Sequence, residues 1–164
     1  MKHSSTLALL SLLSTTVPAL ADVTLLAVFG DHMVLQRNAP QHVWGTADAG
    51  EKVTVTFGKH SETVTADADG KWLAGLPSMP ADGGKAHQLT VKGKNEIVLK
   101  NILIGDVWLG SGQSNMEWQL KGTMNGKEFI AEAKHPNIRL FHIPKTRTNA
   151  PASDVKTAWK ECTP

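Results

Sequence analysis

The sequence holds a single cysteine, Cys162, in 164 residues, which excludes an intramolecular disulfide framework and any zinc cage built on cysteine. No apolar run reaches the roughly 18 residues that a membrane-spanning helix needs. An excess of one charge is missing too. Seventeen Lys and Arg stand against fifteen Asp and Glu, for a net charge of +2, and no run of five basic residues occurs. Non-specific nucleic-acid binding needs such a basic footprint and is disfavoured. Internal repeats and low-complexity linkers are also absent. What is present is 41% apolar and 20% charged residues, the balance of a chain that packs a core. At this length it makes one ordinary domain or two small ones.

The first residues read as an export address. Lys2 and His3 precede Leu7-Ala8-Leu9-Leu10-Ser11-Leu12-Leu13, an apolar run too short for a stop-transfer helix. Pro18 then leads into Ala19-Leu20-Ala21, the small-x-small pattern of a signal-peptidase site. Residues 1–21 are therefore read as a signal peptide and Asp22 as the start of the mature chain. The expected location is the periplasm or the exterior, with no stable membrane anchor after signal removal. A buried N-terminal helix is the alternative, but no polar second face marks one.

From Val23 to Lys100 the pattern is of short strands punctuated by turns. Val53, Val55 and Phe57 alternate with Thr54 and Thr56, the period of two of a half-buried strand. Further strands are expected at 23–28, 42–45, 62–66, 71–74, 87–92 and 96–100. Turn chemistry separates them at Asn38-Ala39-Pro40, Asp48-Ala49-Gly50, Asp69-Gly70, Asp82-Gly83-Gly84 and Gly93-Lys94-Asn95. Short strands at this spacing, without a good helix, read as a β-sandwich over residues 22–100. Trp44 and Trp72 are read as core plugs rather than sugar-stacking platforms.

After residue 101 the character changes. Residues 102–109 form a nearly continuous apolar run, the mark of a strand covered on both faces. A helix is expected from Gly126 to Lys134, with Asn125 as N-cap, Glu128 as the capping-box partner and Pro136 as the stop. Residues 138–143 then read as a second strand, parallel to the first in a βαβ unit. One more short strand is expected around 157–162. Residues 101–164 thus look like the incomplete N-terminal part of an α/β domain.

The loop after the apolar run carries the chemistry, in Gly110-Ser111-Gly112-Gln113-Ser114-Asn115-Met116-Glu117-Trp118. A serine past the carboxyl end of a central strand is where α/β proteins place reactive groups. Gly110 and Gly112 allow a tight turn, and a following helical turn directs N–H groups at developing negative charge. The α/β-hydrolase elbow Gly-x-Ser-x-Gly is disfavoured, because Met116 holds the second glycine position. The alternative is a loop that hydrogen-bonds only its own backbone. Asp106 reads as a structural carboxylate, and Met116 and Trp118 as packing residues. Asp31-His32 reads as a turn feeding a strand rather than half of a metal site.

The stretch Gly105-Asp106-Val107-Trp108-Leu109-Gly110-Ser111-Gly112-Gln113-Ser114-Asn115-Met116-Glu117-Trp118 closely resembles the nucleophile block of sialate O-acetylesterases and related SGNH-type carbohydrate acetylesterases. The resemblance continues in Phe29-Gly30-Asp31-His32-Met33-Val34-Leu35-Gln36-Arg37, Val43-Trp44-Gly45, Asp69-Gly70-Lys71-Trp72, Ile138-Arg139-Leu140-Phe141 and Trp159…Cys162…Pro164. It implies a β-sandwich followed by the start of a flavodoxin-like, three-layer α/β hydrolase domain. It implies Ser114 as catalytic nucleophile, with its backbone N–H as an oxyanion donor. Gly112, Gln113 and Asn115 shape the oxyanion loop, with Gln113 and Asn115 orienting it or touching the sugar. It implies an acetylated carbohydrate as substrate, such as O-acetyl sialic acid, and neither cofactor nor metal.

The family's Asp-x-x-His motif is not found before any of the seven histidines. Glu132-Ala133-Lys134-His135 copies its spacing, but on an expected helix end. Gly93-Lys94-Asn95 has the form of an oxyanion block, but in a turn before the serine. Two readings follow: an esterase piece lacking the catalytic Asp and His, or a non-catalytic β-sandwich that binds or packs between domains and carries a vestigial esterase segment.

Overall fold

A computed structural model describes residues 22–164. The export signal read at residues 1–21 lies outside the described residues. The fold is mostly β with few helices. Strands β1 (Thr24–Leu25), β3 (Gln41–Thr46) and β6 (Lys71–Leu76) make a three-stranded antiparallel sheet in the order β1-β3-β6. Strands β2 (Val34–Gln36), β4 (Lys52–Phe57), β5 (His60–Thr65), β7 (His87–Lys92) and β8 (Glu96–Gly105) make a second sheet in the order β2-β8-β7-β4-β5. All its pairs are antiparallel except β2 with β8, which run parallel.

The alternation read in the sequence is the alternation of burial. Val53, Val55 and Phe57 point into the core, and Thr54 and Thr56 stand half-buried opposite Thr63 and Ser61 in hydroxyl pairs of 2.8 and 3.0 Å. Val43, Trp72, Ala74 and Leu76 from the first sheet share one core with Val55, Phe57, Leu89, Val91 and Ile102 from the second. Trp72 is the core plug expected. Trp44 is not: it lies one residue off that parity, 39% exposed, with its ring edge-on to Phe29 at 4.6 Å.

Strand β8 departs most from expectation. It runs unbroken across residues 100 and 101, so the change expected there falls inside a strand. Asn101 adopts the left-handed conformation (φ 56°), close to an irregularity in the β7–β8 ladder, and Ile102, Leu103 and Ile104 beyond it are all buried. The strand ends at Gly105, and Val107, Trp108 and Leu109 are exposed rather than covered on both faces.

The βαβ unit is not formed. Strand β9 (His135–Leu140) pairs antiparallel with β10 (Lys160–Cys162) in a separate two-stranded sheet. The end of β8 takes β2 as its parallel neighbour, and β9 takes β10 as its partner. Helix α1 (Gly126–Glu132) falls where expected, but its cap differs. Asn125 sits in the left-handed region (φ 58°) and makes no side-chain capping bond, which needs an extended backbone. His135, expected at the helix end, opens β9 instead.

The small sheet is fastened to the body by a polar cluster around Arg139, whose side chain is only 3% exposed. Its guanidinium reaches Glu161 at 3.3 Å, His32 Nδ1 at 3.2 Å and the Asn101 side chain at 3.2 Å. Asn101 Nδ2 donates to Glu161 Oε1 and approaches His32 Nδ1, each at 2.8 Å. Trp159 adds a bond from its indole N–H to Val28 O. Asp31-His32 is the turn expected before β2: Asp31 accepts the Lys100 N–H and His32 takes φ 69°.

Candidate active site

The serine loop springs from the carboxyl end of β8, beside β2. The Arg37 N–H donates to Gly105 O at 2.8 Å, the Val107 N–H donates to Gln36 Oε1 at 2.8 Å, and Arg37 Nε donates to Asp106 Oδ1 at 2.8 Å. The hydrogen bond from Arg37 holds the Asp106 carboxyl below the ordinary carboxylate range, against partial desolvation. Reciprocally, the Arg37 guanidinium is held charged even more firmly than usual. Asp106 is thus a paired structural carboxylate, although exposed at a strand end and not inside a buried strand.

Residues 107–124 are exposed throughout. Ser114 opens a 3-10 turn (Ser114–Glu117), with Gln113 extended before it and the Met116 N–H donating to Gln113 O at 2.8 Å. Met116 folds back over the loop: a Cβ at Gly112 would stand 2.6 Å from Met116 Cγ, so a larger residue there would push the Met116 side chain aside. Met116 and Trp118, read as packing residues, are 59% and 70% exposed, because no other element lies over them. Glu117 pairs with Lys145.

Gly112, Gln113, Ser114 and Asn115 stand together as one exposed turn. The Ser114 hydroxyl makes no hydrogen bond to another described residue. Two of the histidines have side-chain partners elsewhere. His32 belongs to the Arg139 cluster, and His87 Nε2 pairs with Asp82 at 2.5 Å, its ring 5.1 Å from Phe57. That Asp82–His87 pair escaped sequence reading because its spacing is five rather than three; no hydrogen bond or ion pair ties it to residues 110–118. The Gly93-Lys94-Asn95 segment is the turn expected, its Asn95 amide bonded to both backbone groups of Val23.

A cleft of about 640 Å³ begins at the loop root and is lined by Asp106, Val107, Trp108, Ile138, Leu140 and Trp159, among others. Ser114 stands outside its lining. Among the described residues no group of three or more His, Cys, Asp or Glu could hold a metal ion. Gln36 and Arg37 are the residues whose role local sequence reading missed. They lie about 70 positions from the groups they hold, and no periodicity or spacing signals such a pair.

No family model matches the chain. A sialate O-acetylesterase from Rattus norvegicus is 30% identical over 147 residues, 81% of this chain and 27% of that protein. One from Homo sapiens is 30% identical over 135 residues, 75% of this chain and 26% of that protein. A crystal structure of a carbohydrate acetylesterase from Xanthomonas citri superposes with a TM-score of 0.81 at 36% identity, covering 86% of this chain and 33% of that one. The relatives are carboxylic ester hydrolases by name. The chain is thus similar to sialate O-acetylesterases over three quarters or more of its own length, and spans about a quarter of the curated relatives it matches.

Proposed function

We propose that this chain supplies the nucleophilic serine, Ser114, of an exported carbohydrate esterase that removes O-acetyl groups from sialic acid or related acetylated sugars. The observation that carries the reading is the placement of Ser114. It heads a 3-10 turn on a glycine-bearing loop, just past the carboxyl end of β8, in a chain 36% identical to a carbohydrate acetylesterase. There the hydroxyl oxygen would attack the acetyl carbonyl, the sugar oxygen would leave with a proton, and water would release acetate from the acyl-serine.

The attack needs a base, and no described residue is hydrogen-bonded to Ser114. In this reading a histidine, its carboxylate partner and further oxyanion donors come from polypeptide corresponding to the length of the relatives that this chain does not match. The exposed Trp108, Leu109, Trp118, Met124 and Leu140 support the finer fold reading. It is a β-sandwich followed by the first part of an SGNH-type α/β domain, with a further layer covering these side chains. The missing base equally favours a second reading, in which this chain alone is a binding or packing module.

Two assays separate the readings. The 164-residue chain is expected to hydrolyse 4-nitrophenyl acetate and O-acetylated sialic acid only at background. A version extended by an acid–histidine segment is expected to turn over, and Ser114→Ala in it to abolish acetate release with the fold intact, since only one hydroxyl is lost. Turnover that survives Ser114→Ala would refute the assignment of the nucleophile.

A further inference from the structure

We propose that Gln36 and Arg37, at the end of β2, are positioning residues that set the direction in which the Ser114 loop leaves the body. The proposal rests on the reading of Ser114 as nucleophile and adds to it what holds that serine in place.

The geometry is a two-point grip on the loop root. Gln36 Oε1 accepts the Val107 N–H and Arg37 Nε donates to Asp106 Oδ1, joining two consecutive residues of the loop to the last residue of β2 and the one after it. One contact fixes the backbone and the other fixes the side chain next to it. The Gln36 side chain also bonds the Asp106 carboxylate, so both residues of the pair hold the loop root. Residues 106–118 are further held by their own turns and by the Glu117–Lys145 pair.

The grip is itself anchored. In the parallel register Gln36 sits opposite Gly105, and the Arg37 N–H donates to Gly105 O. The Asn38 N–H donates to Met79 O at 2.8 Å. The buried Gln41 side chain spans the turn that follows, donating to Gln36 O and Ala39 O at 2.6 and 2.5 Å. The backbone from which the Gln36 and Arg37 side chains project is therefore fixed to β8 and to the turn before β3. A serine that must meet a carbonyl within fractions of an ångström needs such a fixed root. Arg37 is the charged group paired with Asp106, which accounts for the lowered carboxyl.

The test uses the 164-residue chain, labelled with 15N. The Val107 and Ser114 amides and the Trp108 indole are followed from pH 7 downward. They are expected to move together with Asp106, below the ordinary carboxylate midpoint of about 3.9. In Arg37→Ala that common midpoint is expected to rise into the ordinary range. In Gln36→Ala, exchange of the Val107 amide is expected to quicken about fivefold, the loss of one modest hydrogen bond. The Val55 and Val91 amides serve as the folding control. The charge-swapped double variant Arg37→Asp with Asp106→Arg is expected to restore the Ser114 signal toward its native position. A Ser114 signal unmoved by either single variant, with core amides native, would overturn the proposal. Failure of the swap with a native core would do the same. Ser114→Ala leaves the Val107 and Trp108 readouts in place, so a failed nucleophile assignment and a failed grip give different results.

Discussion

Gly126 occupies a point where no side chain fits. A Cβ there would lie 1.9 Å from the Leu120 carbonyl oxygen, so Gly126→Ala has to separate α1 from the 3-10 turn Leu120–Gly122. The expected result is loss of helical amide shifts over Gly126–Glu132 while β-strand signals persist. Arg139 is the opposite case, a charge that stays buried because Glu161, His32 and Asn101 surround it. Arg139→Met keeps the length of the stem and removes the donors. It is expected to destabilise by about 1–3 kcal/mol, read as a lower urea midpoint. Of these roles, the sequence reading reached Ser114 and its neighbours, because a long contiguous block carries them. It did not reach Arg139 or Arg37, whose partners are distant in the chain.

At the scale of elements, the strands were the most legible part. Alternation at Val53, Val55 and Phe57 and turns at Asp69-Gly70 and Gly93-Lys94-Asn95 mark β4 and the ends of β6 to β8, because period and turn chemistry are local. Pairing was not legible to the same depth. The apolar run at 102–109 looked like a doubly covered strand, yet only its first half is covered, and only tertiary structure shows that β8 pairs with β7 along its first part and with β2 at its end. The contrast in packing between elements is testable. Phe57, fully buried between the sheets, is expected to cost about 3–5 kcal/mol when replaced by Ala. Limited proteolysis is expected to cut first within residues 107–125, which expose backbone and large apolar side chains, and to leave residues 22–105 protected. Equal protection of both segments would contradict this division.

Over the whole molecule, the apolar surface is unevenly shared. The β body hides most of its large side chains, Trp44 and Leu73 excepted, whereas the segment after Gly105 shows Trp108 and Leu109 at 89% exposure each. The 164-residue chain is therefore expected to bind an apolar dye and to self-associate as its concentration rises, measured by fluorescence and light scattering. Expressed with its first 21 residues, the exported protein is expected to begin at Asp22 by mass spectrometry. The parallel pairing of β2 with β8 has a further consequence, in time rather than in space. Val34 meets Leu103 only after the chain has laid down β3 to β7 between them, so closing that pair carries the entropy of a loop of some 70 residues. The root of the serine loop thus depends on the least local strand pairing among the described residues. During refolding, the Val107 amide is expected to gain protection after those of β4 and β5, whose hairpin needs only a two-residue connection.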